Sequence, residues 1–129
     1  MSEVFVNNGG ELATEIGNGS THIHLNAASF IMSTSVTIDY DCIIDITYHG
    51  NVTINMGDTH SFTLDDSGSA TEITIGDVTG TNRLTFSRGA THTLTIQSSS
   101  ADIVANFYHC SFINAALEKG LLCPTNKGG

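Results

Sequence analysis

Thirteen carboxylates against four bases give this 129-residue chain a formal net charge of −9. That leaves too little Lys and Arg to neutralise a phosphate backbone, so direct nucleic-acid binding is not expected. The length suits one domain with one core, and no stretch approaches the roughly 18 apolar residues of a membrane span.

The start, "MSEVFVNNGGE", lacks the basic and apolar regions of a signal peptide, so no export signal is expected and the location is read as cytoplasmic or virion-associated. Residues 8–17, "NGGELATEIG", predict a short helix. Asn8 is its N-cap with Glu11 three residues on, Leu12 and Ile16 share one face, and Gly17 stops it. Short strands follow at "HIHL" (22–25), "SVTIDYD" (35–41), "CIIDI" (42–46) and "NVTINMGD" (51–58). The series continues through "SFTL" (61–64), "TEITIGD" (71–77), "RLTF" (83–86), "HTLTIQSS" (92–99) and "DIVANF" (102–107). All are bounded by Gly, Ser, Asn and Asp turns. Near the end, "NAALEKGLLCP" offers Asn114 as N-cap and Gly120 as stop of a second cap, and residues 124–129 read as a loose tail. Cys42 reads as core, whereas Cys110 and Cys123 could pair only if that tail folds back. The three cysteines lack zinc-knuckle spacing, and their odd number fits reduced thiols.

Four of these segments align on Thr37, Thr53, Thr74 and Thr95. A self-similar period of this kind, near twenty, marks a solenoid in which each turn buries its apolar side against its neighbours. Alternation points Val36, Ile38, Val52, Ile54, Ile73, Ile75, Leu94 and Ile96 inward on one sheet. On the other it points Ile23, Leu25, Ile44, Ile46, Phe62, Leu64, Leu84 and Phe86 inward. The expected architecture is therefore all-β: a single-domain β-solenoid of about five coils over residues 20–114. Residues 1–19 form its N-terminal cap and residues 115–129 its C-terminal cap and tail.

The stretch from Glu11 to Ile46, "ELATEIGNGSTHIHLNAASFIMSTSVTIDYDCIIDI", resembles the opening of right-handed parallel β-helix proteins of the pectin-lyase-like superfamily. There a capping helix leads into the first coil. The resemblance implies a right-handed parallel β-helix, as in phage tailspike and surface adhesin modules. It assigns no reaction, because that fold serves lyases, hydrolases, tailspikes and adhesins alike.

The candidate chemistry is confined to surface groups. Asp39 and Asp41, then Asp58, then Asp77, with Asp102 after them, sit in turns whose stacking would form an acidic column able to share Ca²⁺. Their other reading is ordinary turn residues bonding their own backbone. His22 and His24 point the same way from one strand and could face Asp45 on the next, a metal-binding arrangement. Thr37, Thr53, Thr74 and Thr95 would present a hydroxyl array resembling an ice-binding surface, although Glu72 interrupts its flank. Outward Ile43, Val104 and Tyr48 could support a homo-trimer. No catalytic residue of the β-helix lyases maps onto the chain, and no cofactor is expected beyond Ca²⁺. The function expected is a non-enzymatic recognition or structural module, from a phage tail or microbial surface, contacting a glycan or protein partner. The alternative is a small acidic, phage-encoded inhibitor occupying the basic nucleic-acid groove of a host protein. A polysaccharide lyase or hydrolase and an ice-binding protein rank below both.

Overall fold

The computed structural model describes residues 3–56, 60, 62–65, 72–87, 94–97, 104–113 and 124–127. In chain order they form β1 (Glu3–Val6), α1 (Gly9–Gly17), β2 (His22–Leu25), β3 (Ser29–Ile31), β4 (Val36–Ile38) and β5 (Cys42–Asp45). There follow β6 (Val52–Asn55), β7 (Phe62–Asp65), β8 (Glu72–Gly76), β9 (Leu84–Ser87), β10 (Leu94–Gln97), β11 (Val104–Tyr108), β12 (Cys110–Ile113) and β13 (Pro124–Lys127). The strands make a six-stranded sheet β1-β2-β5-β8-β11-β13, a four-stranded sheet β12-β9-β6-β3 and a three-stranded sheet β10-β7-β4. Every described strand pair is parallel. From β2 to β12 the chain visits the six-, four- and three-stranded sheets in strict rotation.

The helix is the element its sequence specifies best. The Asn8 side chain accepts the Glu11 amide at 2.9 Å, and the Glu11 carboxylate accepts the Asn7 amide at 2.7 Å, so two otherwise orphaned donors are satisfied reciprocally. Leu12 and Ile16 are buried against the core. Gly9 is also buried, and a Cβ there would run into the Ile31 carbonyl of β3, so the first turn of α1 needs glycine for close packing.

The inward alternation holds. Ile23, Leu25, Val36, Ile38, Ile44, Ile46, Val52, Ile54, Phe62, Leu64, Ile73, Ile75, Leu84 and Phe86 are all buried. Each contributes about 1.5–3 kcal/mol of burial. Phe62 and Phe86 meet edge to face at 5.5 Å across the interior. The Leu94 and Ile96 side chains lie outside the described residues.

The repeat itself is corrected. The sequence suggests two strands in each short unit, but a third strand intervenes and lengthens it. Ile43 faces Thr74, Thr74 faces Asn106, and Val52 faces Leu84. The "VTI"-type segments thus fall on different sheets, and Val36 pairs with Phe62 rather than with Val52. The missed strands are β12 (Cys110–Ile113) and β3, a three-residue element with Phe30 buried and Ile31 exposed. The chain also begins pairing earlier and ends later than expected. β1 pairs with β2 inside the stretch assigned to the cap, and β13 pairs with β11 in the stretch read as a tail. The predicted helix after Asn114 and the Cys123 thiol lie outside the described residues.

Cys42 and Cys110 carry buried thiols. Burial pushes Cys42 up to about 11 despite the opposing hydrogen bond from Tyr40, and Cys110 up to about 12 despite nearby Arg83. Neither is a reactive thiolate near neutral pH.

Candidate functional site

The outward side of the six-stranded sheet carries two rows fixed by register. One runs Glu3, His22, Ile43, Thr74, Asn106, and the other Phe5, His24, Asp45, Gly76, Tyr108. Because side chains alternate along each strand, residues two apart share a face, and parallel pairing sets neighbouring strands about 4.8 Å apart. Glu3, His22, His24 and Asp45 are therefore brought together by backbone pairing alone.

The His24 ring is buried at 3% exposure, while the Glu3 side chain keeps 44%. His24 Nε2 lies 2.7 Å from Glu3 Oε1, and His22 Nε2 lies 3.0 Å from Asp45 Oδ2. An ionised carboxylate only accepts, so each of these ring nitrogens is the donor in the bond it makes. His24 Nδ1 has no hydrogen-bond partner, and Asp45 Oδ2 stands 3.9 Å from it. Leaving such a buried group unsatisfied costs about 1–3 kcal/mol. Burial alone would raise the Asp45 carboxyl. The Thr47 hydroxyl and amide donating to Oδ1, the His22 bond to Oδ2 and the nearby His24 together hold it below the ordinary carboxylate value.

Aromatic rings enclose this cluster. Phe5 and Tyr48 stack on His24 with centroids 4.4 and 4.9 Å away, and His22 stacks on it at 4.3 Å. Phe5 is 51% exposed and Tyr48 69%. On the side of His22 away from these rings, a shallow depression is lined by Thr21, His22, Asp41, Ile43, Glu72 and Thr74. Among the described residues, Glu3, His22 and His24 are the group that could hold a metal ion, each offering one ligating atom, all within 4.8 Å of one another.

The sequence-derived candidates divide. His22, His24 and Asp45 come together as the alternation implies. The acidic column does not form from its described members. Asp39 is exposed after β4, and Asp41 accepts the Glu72 amide at 2.9 Å. Asp77 is fully buried, its carboxylate accepting the Gly80 amide at 2.7 Å and the Asn82 amide at 2.9 Å. Asp39 follows a strand of the three-stranded sheet and Asp77 one of the six-stranded sheet, so their turns do not stack. Asp58 and Asp102 lie outside the described residues.

The threonine column is likewise redistributed, with Thr37 on β4, Thr53 on β6, Thr74 on β8 and Thr95 on β10. The rows that register does build are Ser29, Thr53, Thr85, Ser111 on the four-stranded sheet and Thr37, Thr63, Thr95 on the three-stranded one. Of the apolar set, Tyr48 is exposed and Ile43 half-buried, and the Val104 side chain lies outside the described residues. Sequence reasoning misses Glu3 and Phe5 because it takes "EVFV" as part of the cap. Its alternation, Val4 and Val6 inward with Glu3 and Phe5 outward, is the signal that could have placed them.

No protein-family model, no curated protein and no solved structure matches this chain. Among the described residues no helix is long and apolar enough to cross a membrane.

Proposed function

We propose that the chain is a non-enzymatic recognition module, a right-handed parallel β-solenoid with three strands per coil that binds a glycan on the outward face of its six-stranded sheet. The winding is supported by the rotation of strands through three parallel sheets and by the strong right-handed preference of parallel crossovers. It agrees with the β-helix resemblance of residues 11–46.

The observation that carries the binding reading is the pair of exposed rings, Phe5 and Tyr48, 6.0 Å apart, on a sheet face whose other end holds a depression edged by Asp41 and Glu72. Two large aromatic rings held half in solvent give up apolar burial that the fold could otherwise use. A sugar ring supplies what such a face lacks, C–H groups for the aromatic surface and hydroxyls for the carboxylates. Few, well-placed polar groups around an apolar platform are the usual composition of a small-ligand site. The test is a glycan array followed by calorimetry on the best ligand. Tyr48→Ala and Phe5→Ala should each weaken binding at least about tenfold while leaving the melting temperature in place. An array without hits, or hits indifferent to both substitutions, overturns the reading.

A further inference from the structure

We infer that Glu3, His22 and His24 form a site for a late first-row divalent metal ion, of which Zn²⁺ is the type. This inference does not rest on the glycan reading, since its test reads the metal alone.

Three observations converge. First, the donors stand on paired strands. Glu3 and His22 are register partners, and His24 is two residues beyond His22 on the same face. Such a set is held by the sheet rather than by a loop, and rigid placement on regular elements favours a defined coordination geometry. Second, the donor set is two imidazoles and one carboxylate, with ligating atoms within 4.8 Å of one another. Bonds of about 2.0–2.2 Å require only a small closure, which the 44%-exposed Glu3 side chain can make. Imidazole nitrogen suits Zn²⁺, Cu²⁺ or Ni²⁺, whereas Ca²⁺ takes oxygen ligands.

Third, the buried His24 ring holds one nitrogen without a partner. In the metal-free arrangement Nε2–H donates to Glu3, leaving the Nδ1 lone pair unbonded in the interior. A metal taking the Nε2 lone pair moves the ring proton to Nδ1, which then points toward Asp45 Oδ2, now 3.9 Å away. The orphaned atom is thereby satisfied by the change that loads the site. Asp45 already holds His22 at 3.0 Å, so one carboxylate would orient both imidazoles, the usual outer partner of metal-bound histidine. Charge agrees as well. Among the described residues, no Lys or Arg pairs with Glu3 or Asp45, and a divalent ion would balance these two carboxylates. Three protein ligands leave a fourth position for solvent or an external donor, on the side where His22 keeps 29% exposure.

The experiment uses untagged, chelator-treated full-length protein titrated with Zn²⁺ by calorimetry and with Co²⁺ by visible absorption. One equivalent should bind, with cobalt d–d bands of low coordination number, and excess Ca²⁺ should not compete. Glu3→Gln and His22→Gln, both at solvent-accessible positions, should each weaken binding at least about tenfold, and Asp45→Asn by about 10–100-fold. His24→Gln is the most direct variant, but its buried ring also supports the fold, so ring-proton NMR of wild-type protein replaces it. Zn²⁺ should shift the His22 and His24 resonances together at one equivalent. Absence of stoichiometric binding overturns the site. So does affinity unchanged in both Glu3→Gln and His22→Gln, or a response confined to other histidines.

Discussion

Asp45 ends β5 and Asp77 follows β8, the next strand of the same sheet, and both reach the Thr47 hydroxyl. Their surroundings nevertheless differ in kind. Asp77 is fully buried, and its two oxygens accept backbone amides, from Gly80 and Asn82, in the turn that follows β8. It ties that turn and has nothing left to offer. Asp45 gives one oxygen to Thr47 and turns the other toward His22 and His24, the second of which keeps an unsatisfied nitrogen. The same residue type ties a turn where backbone donors take up both of its oxygens, and faces a side-chain cluster where imidazoles surround it.

The comparison breaks first at the turn. Gly76 has φ +124°, and a Cβ there would strike the Tyr108 carbonyl, a backbone atom of the paired strand. Gly76→Ala should therefore cost more than about 3 kcal/mol, read from chemical denaturation, because both the backbone angle and the β8–β11 pairing resist it. Asp77→Ala follows. Stranding the Gly80 and Asn82 amides should cost about 3 kcal/mol, whereas exposed Asp39→Ala should stay within about 0.5 kcal/mol. Equal effects would show that Asp77 is not the tie the geometry makes it.

Asp45 should matter less to stability and more to its pH dependence. Its folded-state carboxyl lies below the ordinary 3.8, so in acid the unfolded chain binds the proton first. The stabilisation is present above that value and fades as pH falls through the lowered one. In melts between about pH 5 and pH 2, wild type should lose stability more steeply than Asp45→Asn. Parallel curves would remove the linkage. Smallest of all is Tyr48→Ala, within about 0.5 kcal/mol, since a ring 69% exposed buries little.

These two aspartates also mark how far the sequence can be read. His22, His24 and Asp45 are legible together because two-residue spacing and strand-to-strand pairing are local rules that short segments obey. Asn8, Leu12 and Ile16 are legible for the same reason in a helix. Asp77 is misassigned to a surface column because its bonding depends on which turn meets which neighbour, and that depends on how many strands separate register partners. Ser29–Ile31 hides that number: a strand so short, with one buried side chain, leaves almost no alternation to count. Once β3 is lost, the resemblance between the threonine segments suggests stacking, although Thr37, Thr53 and Thr74 belong to three different sheets.

The rotation of the chain through three sheets has a kinetic consequence. Apart from β1 with β2, no described strand pairs with the next strand along the chain. Most sheet contacts therefore wait on closing a loop that spans two other strands, an entropic cost that falls before any pairing rewards it. The β1–β2 pair escapes the intervening strands, and α1 occupies most of its connection, shortening the free chain still further. Among the described strands, assembly should therefore begin with the β1–β2 pair and advance strand by strand along the chain. The Glu3–His22–His24 cluster, which stands on that pair, would then be among the first parts of these sheets to form.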